Sequence, residues 1–412
     1  MIKSHLEDIN RVLFTLNYEE RRQELNNRLG KVLSHAQKQV PYYARQQCLE
    51  LDSFPVVNKS IIKDNLESFV SLGVEISTLF KVVTSGSTGT PFEVYHDASK
   101  KLRNTADAIF FGNCAGYDIG TKLNYLKIWT VVNRKSRLKS FVENINPIDV
   151  TQLGDEKLKT LVECLKSSAK KQSFLGYASA LETICNYLDR NSPNTRIPGV
   201  VSVIAMSEGL NPLAKDKIHT YFGVHGVSRY SNVENGIIAQ QPADGSSSFI
   251  VNWASYFVEI LNMDSDTPVA IGQTGRIVVT DLFNFAMPII RYDTGDIGKL
   301  GWDPSGRDLW LEQVEGRKMD LVFDVHGNMV SSFTITNNMW LYPEIIQYQF
   351  IQESKDAYLF RLNVKGGFER ESQLIEEFKE FFGSTASIRV EYVNEIPLLN
   401  SGKRKKVINQ IL

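Results

Sequence analysis

The 412-residue chain is poor in cysteine: Cys48, Cys114, Cys164 and Cys185 lie far apart, none forms a CxxC pair, and none follows Cys185. That excludes a disulfide scaffold and argues against thiolate metal sites, leaving small buried thiols in a reducing compartment. The six histidines, His5, His35, His96, His219, His225 and His326, are scattered and make no ligand pair at helical spacing. Net charge is also missing. Forty-six Lys and Arg stand against 47 Asp and Glu, so no overall field attracts nucleic acid or an anionic membrane. No apolar run approaches the roughly 20 residues of a membrane span, and MIKSHLEDIN has no signal core. We therefore expect a cytoplasmic protein with no membrane span and no nucleic-acid partner.

What the chain does have is bulk for a core: 42% of its residues are hydrophobic and 10% aromatic. Its length suggests two or three structural units. Up to about residue 75 the apolar positions recur at three- and four-residue steps, as in Leu29, Val32, Leu33, Ala36 and Val40, and predict helices, with Pro41 as a stop. From Leu79 short strand-like runs, LFKVVTS, YLKIWTVV, QSFLGYA and VVSVIAM, read as buried strands. Helical runs at Leu102 to Phe111, Ala178 to Leu188 and Pro212 to Phe222 separate them. Such alternation predicts a layered α/β domain with partly parallel strands. Between 247 and 312 the strands crowd together into a mainly β region. After EGRK the pattern restarts, with strands IIQYQFIQ and AYLFRLNV, a helix over Glu369 to Phe382 and strand SIRVEYV. The expected fold is a large N-terminal α/β domain with an attached β region over 1–317, followed by a small α+β C-terminal domain over 318–412, the boundary falling at 316–320.

Five segments carry candidate chemistry. In TSGSTGTPF, between two probable strands, Gly86 and Gly89 let backbone N–H groups turn inward while Ser85, Ser87, Thr88 and Thr90 add hydroxyl donors. The loop is either a plain hairpin turn or an anion cradle, and it lacks the Lys-Ser/Thr of a Walker loop. YSNVENG places Glu234 just past a probable strand, as a solvated loop acid or a ligand. RYDTGD sets two acids and a Thr around Gly295, either an Asp-Gly turn or a carboxylate, Asp296, that can accept bonds from a diol. EGRK supplies Arg317 at the domain junction, to reach a nucleotide or to brace two domains. NSGKRKK puts Lys403 after a glycine, in what could equally be a solvated basic tail.

Taken in order, these segments resemble the adenylate-forming superfamily of acyl-CoA synthetases, adenylation domains and luciferases. They most resemble its phenylacetate–CoA ligase branch, which includes coenzyme F390 synthetases and capsular polysaccharide biosynthesis proteins. VPYYARQ, FPVVNKSIIKDN, GYASALETI, IIQYQFIQ and SGKRKKV are similar to that branch. The resemblance implies ATP-dependent activation of a carboxylic acid as its acyl-adenylate, then transfer to coenzyme A, a carrier protein or an amine. It implies that Ser85, Gly86, Ser87, Thr88, Gly89 and Thr90 hold the β- and γ-phosphates of ATP. Tyr230, Ser231 and Asn232 would form the adenine-binding stretch, and Glu234 would bind Mg²⁺. Asp296 would take the ribose hydroxyls, with Arg317 close to the nucleotide. Lys403 would meet the carboxylate and α-phosphate, on a small domain that is mobile and rotates between the half-reactions. Met319 stands where the superfamily usually has an Asp or Lys hinge residue, FDVHGNMVSS lacks the glycine-rich acceptor-facing pattern, and Ser231 and Asn232 depart from the usual aromatic-Gly form. No zinc is expected, since the second half has no cysteine. The competing reading is a non-catalytic nucleotide-binding protein that keeps this fold.

Overall fold

The computed structural model describes residues 1–84, 92–129, 136–207, 209–317, 322–330, 332–339, 341–342, 344–364, 366–397 and 405–411. Ser85, Gly86, Ser87, Thr88, Gly89, Thr90 and Lys403 lie outside them. The described chain forms two compact units, one of residues 1–84, 92–294 and 299–313, the other of 295–298 and the described residues from 314 onward. No described helix is long and apolar enough to cross a membrane.

The first unit begins with helices α1 (Ile2–Asn10) and α2 (Tyr18–Gln39). Asn17 and Glu20 form a reciprocal capping box at the start of α2, and Leu25, Leu29, Val32, Leu33 and Ala36 form its buried stripe. Helix α3 (Lys59–Asp64) follows, capped by the Asn58 side chain. Strands β1 (Phe80–Thr84) and β2 (Phe92–His96) pair antiparallel and set Thr84 opposite Phe92. The expectation that β1 is buried fails: Phe80 and Val83 are 46% and 48% exposed, because β1 and β2 make a two-stranded sheet with no further layer of strands. Asp97 then caps α4 (Ala98–Cys114), longer than the helix expected from Leu102.

A seven-stranded sheet follows. Its parts run β3 (Lys122–Lys127), α5 (Arg137–Val142), β4 (Ile145–Asp149), α6 (Asp155–Ser167), β5 (Gln172–Tyr177), α7 (Ala178–Asn191), β6 (Val200–Met206), α8 (Pro212–Phe222), β7 (Gly226–Asn232), β8 (Gly236–Gln240) and β9 (Ile250–Val251). The spatial order is β4-β3-β5-β6-β7-β8-β9, parallel as far as β7 and antiparallel beyond it. Helical crossovers make the parallel pairs, and the short β7–β8 connection makes the first antiparallel one. Leu126, Phe174, Val203 and Ala205 join one core with residues of α6, α7 and α8, while Leu175, Ile204 and Val227 pack with Ala115, at the end of α4, on the other side. Gly176 is required where β5 passes β3, since a Cβ there would lie 2.7 Å from the Leu126 carbonyl oxygen.

Strands β10 (Tyr256–Leu261), β11 (Thr274–Asp281), β12 (Tyr292–Trp302) and β13 (Leu309–Arg317) form a four-stranded sheet in sequence order, the attached β region. RYDTGD does not turn as expected. It opens β12, and Gly295 absorbs the irregularity within the strand at a φ of +78° that a side chain would resist.

The second unit has the hairpin β14 (Val322–Phe323) and β15 (Met329–Val330), then α9 (Ser332–Met339), β16 (Ile345–Gln352), β17 (Ala357–Val364), α10 (Glu371–Phe382), β18 (Ser387–Tyr392) and β19 (Val407–Asn409). Its sheet runs β18-β17-β16-β19, and Phe350, Tyr358, Phe360, Phe378 and Phe382 fill the core beneath α10. Strand β19 lies parallel to β16, with Val407 beside Phe350. Beyond the basic segment, sheet resumes at Val407.

Candidate active site

The turn between β7 and β8 carries Glu234, whose side chain is only 1% exposed. Two buried groups pin the turn. His96 Nε2 donates to the Glu234 carbonyl oxygen at 2.8 Å, and the Tyr256 hydroxyl donates to the Asn235 carbonyl oxygen. Since a carbonyl only accepts, the His96 proton sits on Nε2. Burial and then the nearby Lys100 charge push this imidazole below its usual range, so it is neutral. Burial likewise pushes the Tyr256 phenol well up, keeping it a donor. Asn232 adds a third restraint, its Oδ1 accepting from the Asn235 amide at 2.7 Å.

The Glu234 carboxylate meets Lys59 Nζ at 2.7 Å and accepts from the Tyr292 hydroxyl at 3.2 Å, both at Oε1. Lys59 arrives from far away in sequence because Val57 bridges to Tyr292, with Val57 N donating to Arg291 O at 3.0 Å and Asp293 N to Val57 O at 2.8 Å. One residue later Asn58 caps α3 and leaves Lys59 as its first residue. A cation at a helix N-terminus opposes the helix dipole. That mismatch in NKSIIKD is the sequence signal by which Lys59 was findable, and its compensation is Glu234.

Tyr230 closes one side, its hydroxyl donating to Thr294 Oγ1 at 3.1 Å, and Thr294 in turn donates to the Ile277 carbonyl at 2.9 Å. Tyr230, Glu234, Tyr292 and Thr294 are thus brought together with Lys59. Ser231 and Asn232 lie in the β7–β8 hairpin, opposite Ile237 and Gly236. Asp296 sits part-buried in β12, in the stretch grouped with the second unit, and Arg317 is the last residue of β13. Of the two acids in RYDTGD, Asp293 pairs with Arg276 at 2.7 Å.

Among the described residues no three His, Cys, Asp or Glu side chains cluster as a metal site. A single carboxylate suits Mg²⁺, which takes one or two protein carboxylates and completes its shell with phosphate oxygens and water. Both polar atoms of the wholly buried Asn235 side chain also have no partner among the described residues, which leaves polar capacity at the turn.

Residues 322–410 match the family described as the CapK C-terminal domain. Protein CapK of Staphylococcus aureus is 22% identical over 375 residues, covering 88% of this chain and 80% of its own. The phenylacetate-coenzyme A ligase of Escherichia coli K12 is 20% identical over 415 residues and 93% of each chain. The crystal structure of 2-hydroxyisobutyryl-CoA ligase in the postadenylation state, in complex with R3-HIB-AMP, superposes with a TM-score of 0.75 at 18% identity, over 97% of this chain and 91% of that one. The chain is thus similar to phenylacetate–CoA ligase-like proteins along most of its length, and it has the fold of the adenylate-forming enzymes. The resemblance read from the ordered segments is borne out, as is the adenylate-forming fold. Against the site residues expected from the sequence, sequence reasoning missed Lys59, Tyr292 and the anchor Tyr256.

Proposed function

We propose that the chain is an AMP-forming ligase that activates a carboxylic acid with ATP and passes the acyl group to an acceptor. The observation that carries the reading is Glu234: a buried carboxylate on a pinned turn, charge-matched by Lys59, in a chain similar along most of its length to phenylacetate–CoA ligase. In the first step a carboxylate oxygen bonds to the α-phosphorus as the bond to the β-phosphate's bridging oxygen breaks, and pyrophosphate leaves. In the second the acceptor's sulfur or nitrogen bonds to the acyl carbon and AMP leaves. Anions must converge in the first step, so positioned cations and donors matter more than a covalent nucleophile.

On this reading Ser85, Gly86, Ser87, Thr88, Gly89 and Thr90 cradle the outer phosphates. Tyr230, Ser231 and Asn232 flank the adenine, Asp296 binds the ribose diol, and Arg317 lies close to the same nucleotide. Lys403 meets the carboxylate and α-phosphate, carried by a small domain over 318–412 that rotates about 316–320 between the two steps. Glu234 would hold Mg²⁺, which supplies charge neutralisation to the phosphates when bound. Lys59 supplies the positive charge that a buried carboxylate requires.

The test is acid-dependent exchange of labelled pyrophosphate into ATP across a broad acid panel. Exchange is expected for wild type and is reduced on the order of a hundredfold or more in Lys403→Ala. ATP binding without exchange for any acid would instead favour the non-catalytic nucleotide-binding reading. Mass spectrometry of products formed with coenzyme A, a loaded carrier protein or an amine then identifies the acceptor. Coenzyme A is the first to try, given the ligases to which the chain is similar.

A further inference from the structure

Parallel α/β sheets bind their ligands at the carboxyl ends of the strands. Here those ends present a row of unusual chemistry. Tyr177 on β5, Met206 on β6 and Arg229 on β7 stand side by side in register, on the same face as Leu175, Ile204 and Val227 two residues earlier. On β3, Lys127 and Tyr125 extend the row, with Lys127 Nζ 4.4 Å from the centroid of the Trp129 ring and 5.2 Å from that of Tyr125. Just beyond Met206, Ser207 adopts a left-handed φ of 67°, shared among the described non-glycine residues with Asn144 and Arg291.

Arg229 stands out within this row. Every fully buried Lys or Arg among the described residues faces a carboxylate: Arg21 meets Asp308, Lys100 meets Asp281, Arg103 meets Asp107 and Asp8, and Arg291 meets Glu259. Arg229 is part-buried, yet the surrounding protein pulls its guanidinium down to about 10, which still leaves it protonated at neutral pH, and no carboxylate among the described residues lies within ion-pair distance. Its charge is felt instead by the Tyr125 phenol, which burial and Tyr177 push up and Arg229 pulls down. Its one hydrogen bond runs from Nε to Gln240 Oε1 at 2.8 Å, and Gln240 is itself fixed by donating to the Phe111 carbonyl at 2.7 Å. With Nε engaged, the two terminal nitrogens form the end of the guanidinium fork, a geometry suited to a planar oxyanion. A part-buried cation without a counter-charge is costly unless a ligand completes it.

We infer that Arg229 is a specificity-determining residue, and that the acid this protein takes carries a second, non-reacting anionic group, most simply a second carboxylate, which docks on Arg229 beside Tyr125 and Tyr177. The inference rests on the acid-activating reading above and narrows its substrate to dianionic acids.

Matched acid pairs test it: butyrate against succinate, hexanoate against adipate, phenylacetate against 4-carboxyphenylacetate, each in pyrophosphate exchange. The dianionic member is expected to win by on the order of a hundredfold in kcat/KM. Arg229→Gln removes that preference through a raised KM for the dianion while leaving the monoanion unchanged, and Arg229→Lys restores part of it. Monoanions that match or exceed their dianionic partners overturn the inference, as does an Arg229→Gln that slows both members equally, since the residue then serves the reacting carboxylate or packing alone. If no acid supports exchange, the ligase reading fails separately. Thermal-shift titration with the same pairs then still decides whether Arg229 binds a second anion, which predicts stabilisation by the dianion only, lost in Arg229→Gln. Equal shifts for both acids, or none, overturn it.

Discussion

Lys100 and Arg103, on the first turns of α4, are buried against Asp281, Asp107 and Asp8, whereas the part-buried Arg229, midway along β7, bonds to the Gln240 amide and meets no carboxylate among the described residues. Both regions confine positive charge in the same unit. In the first the chain supplies the counter-charge and the result is architecture: Arg103 also donates to the Ser255 hydroxyl and the Ala254 carbonyl, and Asp8 brings α1 onto the network through Arg28. In the second the chain withholds it. A buried charge that its own chain satisfies reads as scaffold, and one left to be satisfied reads as a site.

Breaking the satisfied network gives the largest expected effect. Asp281→Asn strands the Lys100 ammonium, wholly buried, and should cost about 3–5 kcal/mol in chemical denaturation; a loss below about 1 kcal/mol would erase the distinction between the two regions. Glu234→Gln comes next. It should cut pyrophosphate exchange on the order of a hundredfold, about 2.7 kcal/mol in transition-state terms, with only a small change in melting temperature. A variant that exchanges normally removes Glu234 from the chemistry.

Asp8 sharpens the comparison through pH. Burial alone would raise its carboxyl, but hydrogen bonds and charge from Arg28, then Arg103, hold it down at about 2 against an ordinary 3.8. Its stabilisation is therefore fully present above pH 3.8 and lost as pH falls toward 2. Wild type should exceed Asp8→Asn by about 1–2 kcal/mol at pH 6, after allowance for its partial exposure, with the gap closing by pH 2. A gap that does not depend on pH would mean that the ion pair is not its source. The smallest effect has the opposite sign. Arg229→Met removes an uncompensated charge, so stability should hold or rise by up to about 1 kcal/mol, and a clear loss would show that Arg229 is scaffold after all.

Much of this organisation was legible before any coordinates. The alternation of strand and helix from Leu79, the crowding of strands after 247 and the restart beyond EGRK all follow from periodicity, which reports what each segment buries. Periodicity does not report what a segment buries against. LFKVV has the composition of an inner strand but is half of a two-stranded hairpin with Phe80 and Val83 outward. Turn chemistry misled at RYDTGD because a glycine at positive φ serves a strand irregularity as well as a turn. Glu234 was readable from its position after a strand. Its partner Lys59 depends on the closure of Val57 onto Tyr292, a contact across most of the chain that no local pattern carries. Arg229 was invisible for a simpler reason. In GVSRYSN it reads as an ordinary polar residue, and only the absence of a carboxylate around it, seen in three dimensions, gives it meaning.

The pairing of β19 with β16 makes one strand answer to two distant stretches of chain. Ile396 is fully buried, its amide donating to Gln347 Oε1 on β16 at 2.8 Å, and Val407 to Asn409 run parallel along the same strand. Strand β16 is therefore held near one end by Ile396 and at the other by β19, contacts that its hairpin partner β17 does not supply. Clipping the chain after Lys406 would leave Phe350, Ile351 and Gln352 on an open edge, so this short strand serves the small unit as a seal against pairing with a foreign strand.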